Sequence, residues 1–226
     1  VDGRLPVIAG TGTNNTVDVI EMSQTAEELG ADALLIVSPY YNKPTQQGLY
    51  EHYKVVAESV DLPIVLYNVP GRTGSNIAAE TTLRLAEIPN IVAVKEASGN
   101  FDQIMHIIAH RPDDFSVLSG DDAAALQIMA LGGDGVVSVA ANEVPAEFSE
   151  MVHHALDGDF DKARELHYRL LPLMNGNFIE TNPIPVKTML ASMGKIKEQM
   201  RLPLVPMAKA NRERLLAIGK SLGLIS

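Results

Sequence analysis

Apolar residues along this chain come in short blocks separated by longer stretches of helical spacing. Six runs read as buried strands because they are brief, rich in β-branched residues and bounded by glycine, proline or polar clusters: residues 5–10 (LPVIAG), 31–38 (ADALLIVS), 64–67, 91–95, 115–118 and 136–139. Between them the spacing predicts helices over 16–29, 45–59, 79–87 and 101–110, and another ending at Leu131. Beyond Asn142 the pattern is helical alone, over about 147–156, 160–171, 185–193 and 208–222. Strand and helix alternating with short connections is the pattern of a parallel α/β fold, followed here by a helical tail.

Two strand ends carry unusual side chains. The run Ile91–Val92–Ala93–Val94 stops at Lys95, followed by Glu96, Ala97, Ser98 and Gly99. An ammonium at the end of a buried strand is costly unless it is paired, solvated or neutral. A partly desolvated lysine has a lowered pKa, as an amine nucleophile needs. The plain alternative is a lysine that snorkels into solvent. The run Ile64–Val65–Leu66 ends in Tyr67 and a loop holding Asn68, Pro70, Gly71, Arg72, Thr73 and Gly74. Parallel strands open their C-terminal ends on one face, where α/β folds hold their active sites. A phenol, an amine and a guanidinium therefore meet at one mouth: a proton carrier, a carbonyl-reactive nucleophile and a carboxylate clamp.

Other features weigh less. Tyr40 and Tyr41, between Pro39 and Pro44, stand at the same mouth and suit packing and function equally. Gly10–Thr11–Gly12–Thr13–Asn14 lacks the third glycine of a dinucleotide loop and reads as a structural turn. Asp122 reads as the N-cap of the next helix with Asp121 beside it, in preference to a metal site. The six histidines show no ligand spacing, and His153 and His154 read as a solvated helix face. The nine methionines fall at helical positions and read as core filler.

Composition narrows the classes. A formal charge of -10 argues against nucleic acid or an anionic membrane as partner. The absence of cysteine excludes disulfides and thiolate metal sites, and allows a reducing cytoplasm, where we expect the protein. No apolar run spans a bilayer, and the first residues, which lack an initiator methionine, are no signal peptide.

Tyr67–Asn68–Val69–Pro70–Gly71–Arg72–Thr73–Gly74, followed by Val94–Lys95–Glu96–Ala97, resembles the Schiff-base lysine signature of the dihydrodipicolinate synthase and N-acetylneuraminate lyase family, over essentially the whole chain. Arg72 after Gly71 is more similar to the synthases than to the sialic acid lyases. The resemblance implies a TIM-barrel type (β/α)8 fold of which six strands are visible, so that about the first two βα units lie outside the chain. Residues 1–142 would then be barrel units three to eight, and 143–226 the last barrel helix and a helical extension. It also implies condensation of pyruvate with L-aspartate 4-semialdehyde through an imine on Lys95, without cofactor or metal. Tyr67 and Tyr41 would relay protons, Tyr41 from a neighbouring subunit of a homodimer or homotetramer. Arg72 would hold the semialdehyde carboxylate, and the backbones of Gly120 and Val137 would border the pyruvate. Asn14 and Tyr40 match contacts of a lysine effector, while Asp18 stands where lysine-inhibited members carry a glutamate. The family's relay threonine would lie in the units not seen, which leaves condensation weakened. Two other readings remain: a sibling aldolase cleaving a 2-keto-3-deoxy acid, against which Arg72 counts, and an inactive paralogue that binds a full-length partner.

Overall fold

The apolar runs pair in parallel in the computed structural model, which describes residues 1–226. By chain contacts it divides into two compact units, one of Val1–Gly120 with Leu131–Asp134, the other of Asp121–Ala130 with Gly135–Ser226.

The first unit holds β1 (Ile8–Gly10), β2 (Ala33–Val37), β3 (Ile64–Asn68), β4 (Ile91–Glu96) and β5 (Ser116–Ser119), each paired in parallel with the next. Helices α1 (Thr16–Glu28), α2 (Gln46–Ala57), α3 (Pro70–Thr73), α4 (Ala79–Ala86) and α5 (Phe101–His110) fill the connections. Alternation along the strands sorts the side chains. Leu34, Ile36, Ile64, Leu66, Ile91, Val94 and Val117 are buried against Val19, Leu49, Tyr53, Leu85 and Ile107 of the helices. The pairing of β3 with β4 slips once: Ile64 faces Ile91, but Val65 faces Ala93, so Val92 is an extra residue on β4. Past that slip Tyr67 lies opposite Lys95, and Asn68 opposite Glu96.

The second unit contains α6 (Ala125–Ala130), β6 (Gly135–Val136), a 3-10 turn (Ala140–Asn142) and α7 (Pro145–Leu156), α8 (Phe160–Gly176), α9 (Ile184–Ser192) and α10 (Lys209–Ser221). Phe148, Met151, Leu170, Leu173, Met174, Met189 and Leu215 form its core, so several methionines do serve as filler. Helix α8 runs past the expected end at residue 171 and carries Pro172 within it. Two glycines let α10 come close: a Cβ on Gly219 would fall 2.7 Å from Met189 Cε, and one on Gly176 would fall 3.1 Å from Ile218 Cδ1.

Three local expectations are corrected. The sixth strand ends at Val136 rather than 139, because the Asp122 carboxylate takes the N–H groups of Val139 (3.1 Å) and Ala140 (2.8 Å) and bends the chain into a turn. Asp122 is therefore no N-cap; it is Asp121 that accepts from the Ala123 N–H, at 2.9 Å. The short α3 stands within a stretch that reads as loop, opened by Pro70 and closed by Gly74 at φ 70.

Buried ionisable groups set limits on stability. His52 on α2 shares a 2.9 Å hydrogen bond with the Thr16 hydroxyl through Nδ1, while Nε2 is buried without a partner. Burial pushes its imidazole down to about 4. Glu143 accepts from Asn177 Nδ2 at 2.6 Å, and its carboxyl is pushed up to about 8, by burial first and to a smaller extent by Asp122. The two act in opposite directions. Unfolded His52 takes up a proton from about 6.5 downward and folded His52 only near 4, so stability falls as pH drops through that window. Glu143 keeps its proton in the folded chain up to about 8, so its contribution is lost as pH rises from 4.5 through 8. His52→Leu should remove about 3 kcal/mol of the difference in unfolding free energy between pH 7 and pH 4. Glu143→Gln should flatten the loss between pH 5 and pH 8. Denaturant melts of the three proteins at those pH values check both.

Candidate functional site

The site is built where β3, β4 and β5 end. In-register pairing sets Lys95 beside Tyr67, and Lys95 Nζ lies 4.0 Å from the centroid of the Tyr67 ring. A cation at that distance over an aromatic face gains about 0.5–2 kcal/mol, the more as water is excluded. Both side chains are half-buried. Burial pushes the Tyr67 phenol above its usual range and the Arg72 guanidinium pulls it part of the way back, so the phenol stays protonated at neutral pH and can donate.

Space beside the amine is kept by an absence. A Cβ on Gly120, just past β5, would fall 2.7 Å from the Ala97 Cβ, 3.1 Å from Lys95 Cε and 3.2 Å from Lys95 Cγ. Any other residue there would press on the lysine stem.

Arg72 occupies the last turn of α3 and is exposed. Its loop is pinned by Thr73, whose buried hydroxyl has Ser75 O (2.9 Å) and Val69 O (3.2 Å) as acceptors for its single proton and accepts from the Ser75 N–H (3.1 Å). The loop after β2 leans on the same segment, because the Tyr41 N–H donates to Thr73 O at 3.2 Å. Tyr41 has a left-handed backbone, φ 72, and its side chain is 87% exposed. Tyr40 beside it is exposed to a lesser degree. Asn42 Nδ2 donates to Asn14 O at 2.9 Å and so ties this loop to the one after β1. There Asn15 caps α1 through the Val17 N–H, and its Nδ2 donates to Asp18 Oδ1 at 3.0 Å. Gly12 is steric in role: a Cβ would stand 2.5 Å from Val37 N, at the end of β2.

The structure therefore brings Lys95, Tyr67 and Gly120 together, sets Arg72 near enough to Tyr67 to act on its phenol, and joins Tyr40, Tyr41, Asn14 and Asp18 through two linked loops. Val137 belongs to the second unit, directly after β6 and before the turn held by Asp122. No group of three or more His, Asp or Glu side chains could hold a metal.

One set of residues escapes a reading of the sequence. Asn68 and Glu96 are buried, Glu96 to 1% exposure, on the face opposite Tyr67 and Lys95. Glu96 accepts from Ser98 N (2.7 Å), Asn68 Nδ2 (3.1 Å) and Gln103 Nε2 (3.0 Å). A signal for them exists: period two sends the residue after each site residue into the helix layer, where a polar type needs a partner.

Comparison with known proteins places this arrangement. The model described as the dihydrodipicolinate synthetase family matches residues 1–222. The chain is 56% identical to the 4-hydroxy-tetrahydrodipicolinate synthase of Koribacter versatilis, over 99% of this chain and 75% of that one. It is 54% identical to the enzyme of that name from Thermodesulfovibrio yellowstonii, over 100% and 77%. Among solved structures, dihydrodipicolinate synthase from Aquifex aeolicus superposes with a TM-score of 0.97 at 50% identity, covering 99% of this chain and 76% of its own. The chloride-inhibited synthase of Acinetobacter baumannii, complexed with pyruvate, gives 0.97 at 49%, covering 99% and 77%. The synthase of Cyanidioschyzon merolae with lysine bound gives 0.95 at 43%, covering 97% and 75%.

Gly120→Ala tests the space beside the amine. Overpacking of this kind costs about 1–3 kcal/mol. The rate at which Lys95 forms a borohydride-reducible imine with a small keto acid should fall roughly ten- to a hundredfold, measured by intact mass against time, with a cooperative melt retained.

Proposed function

This chain belongs to the dihydrodipicolinate synthetase family, and from that premise we propose that it condenses pyruvate with L-aspartate 4-semialdehyde to 4-hydroxy-tetrahydrodipicolinate, as a lyase of the diaminopimelate and lysine route. The observation that carries the reading is Lys95 Nζ held 4.0 Å over the Tyr67 ring with no side chain at Gly120 to crowd it. The relatives share the synthase name, and no observation favours the sibling aldolase or an inactive binding partner.

Lys95 Nζ, once deprotonated, attacks C2 of pyruvate. The carbinolamine loses water as Tyr67 passes a proton to the leaving hydroxyl, which leaves a protonated imine. That imine withdraws electrons, so a methyl proton departs from C3 and an enamine forms. Its C3 bonds to the aldehyde carbon of the semialdehyde, whose oxygen takes up a proton through the tyrosine relay. The amine of the second substrate then attacks C2, closes the ring and expels Lys95. Splitting one carbon–carbon bond formation into these steps is the gain of covalent catalysis, and the imine carries the electron-sink chemistry that a cofactor would otherwise supply.

Arg72 suits the semialdehyde carboxylate, because a planar guanidinium donates two parallel hydrogen bonds. The backbone of Gly120 borders the pyruvate in this reading. Tyr41 serves the relay of a neighbouring subunit in a homodimer or homotetramer; its support is a phenol turned out to 87% exposure on a strained backbone. Asn14, Asp18 and Tyr40 form a candidate effector site for lysine, supported by the loop tie between Asn14 and Asn42. A reaction on small soluble acids fits the cytoplasm, and no helix is long and apolar enough to cross a membrane.

Two experiments test this reading. Incubation with pyruvate and borohydride should leave one reduced pyruvyl adduct, mapped by peptide mass to Lys95 and absent in Lys95→Ala; an unmodified Lys95 would refute the reading. Mixing Lys95→Ala with Tyr41→Ala, each inactive alone, should restore up to about a quarter of the wild-type rate if Tyr41 acts across subunits in a dimer. Random pairing makes about half of the dimers mixed, and each mixed dimer holds a single complete site. No recovery would place Tyr41 outside the partner's relay.

A further inference from the structure

Behind the lysine lies a buried polar chain that the mechanism leaves unused. Glu96 is acceptor only: Oε1 takes the Ser98 N–H (2.7 Å), and Oε2 takes Asn68 Nδ2 (3.1 Å) and Gln103 Nε2 (3.0 Å). None of these donors is free to reverse. Asn68 Oδ1 accepts from the Ile77 backbone N–H at 3.0 Å, which obliges its Nδ2 to face Glu96. Gln103 Oε1 accepts from Asn76 Nδ2 at 2.9 Å, and Asn76 Oδ1 in turn accepts from Asn68 Nδ2 at 2.9 Å. Two backbone donors, Ile77 and Ser98, therefore set the direction of the whole chain, and only a group that accepts at both oxygens completes it.

The placement of this chain matters. Asn68 and Glu96 follow Tyr67 and Lys95 directly and lie opposite each other in register. Their own carbonyls tie the strand ends together: Asn68 O accepts from Ala97 N (2.8 Å), and Glu96 O accepts from Gly120 N (2.7 Å). The three residues that shape the amine's surroundings, Tyr67, Lys95 and Gly120, are thus each one peptide from a member of the network or bonded to it.

We propose that Glu96 is the positioning residue of this site, its buried carboxylate locking the ends of β3 and β4 so that Lys95 stays over Tyr67. The role rests on Lys95 being the imine-forming amine. Glu96 touches no substrate; it acts through the strand end. An amide in its place turns an NH2 toward the Ser98 N–H in one orientation and toward the Asn68 and Gln103 amides in the other, and the strand ends separate to relieve the conflict.

The test uses Glu96→Gln and the exchange Glu96→Gln with Asn68→Asp. In the exchange the carboxylate now at position 68 still accepts from the Ile77 N–H and also accepts from the amide of position 96, while the Asn76 and Gln103 amides turn over, at the cost of the Gln103 Nε2 bond to Ile77 O (3.2 Å). Imine formation is followed by borohydride trapping with pyruvate, alongside kcat, the KM for the semialdehyde and the melting curve. Glu96→Gln is expected to slow trapping and kcat at least tenfold with the semialdehyde KM changed less than threefold, and the exchange to recover part of that loss, by at least threefold. Wild-type trapping in Glu96→Gln overturns the proposal, as does a folded exchange variant no faster than the single one. If neither variant folds, the carboxylate serves the fold and not the lysine, and the proposal also falls. Absence of an adduct in the wild-type protein would strike the Lys95 reading instead, and is seen before either variant is made.

Discussion

Successive side chains on a strand point to opposite faces, and the whole site hangs on that alternation at the last two residues of β3 and β4. Tyr67 and Lys95 take one face; Asn68 and Glu96 take the other. Tyr67 and Lys95 are half-buried polar side chains on a sheet otherwise packed with leucine, isoleucine and valine, and their neighbours in sequence, Asn68 and Glu96, are hydrogen-bonded to each other in the helix layer. Here the Lys95 nitrogen lies over a phenol ring, its stem passes a glycine without a side chain, and its base belongs to a strand end tied by backbone and side-chain hydrogen bonds.

Much of this is legible in the residues. The strands of the first unit and the helix Phe101–His110 fall where apolar runs and caps predict them, because burial on a parallel sheet leaves a near-continuous apolar signature. Lys95 and Tyr67 stand out for the same reason, being polar groups at the ends of apolar runs, and Arg72 by its place in the proline–glycine stretch that follows one of them. What fails to show is long-range. A carboxylate before a helix ordinarily serves that helix, whereas the acceptors of Asp122 are claimed by Val139 and Ala140, 17 and 18 residues on. The early end of β6 follows from the same contact. Glu96 and Asn68 are hidden by the familiarity of the residues beside them.

The second unit is held differently. Its helices close on one another through glycines at 176 and 219 and through methionines that adapt to irregular gaps. It also tolerates a neutral carboxyl at Glu143, with one oxygen bonded to Asn177 and the other unpartnered. Within it, Asp122 shapes the turn that follows Val137.

The extra residue in β4 gives this strand two ways of counting against its neighbour. If the pairing Ile64–Ile91 ran on without interruption, Tyr67 would stand across from Val94, and the Lys95 side chain would turn toward the helices while the carboxylate of Glu96 took the face of Tyr67. Val92 works as a phase shifter, a single peptide that decides which sign of charge the mouth presents. A chain one codon shorter here could reach the same phase by unbroken pairing, whereas a chain one codon longer would need a second slip to keep its ammonium outward. Tolerance to insertion and to deletion is thus lopsided at a point that carries no reacting group, because it resides in arithmetic and not in chemistry.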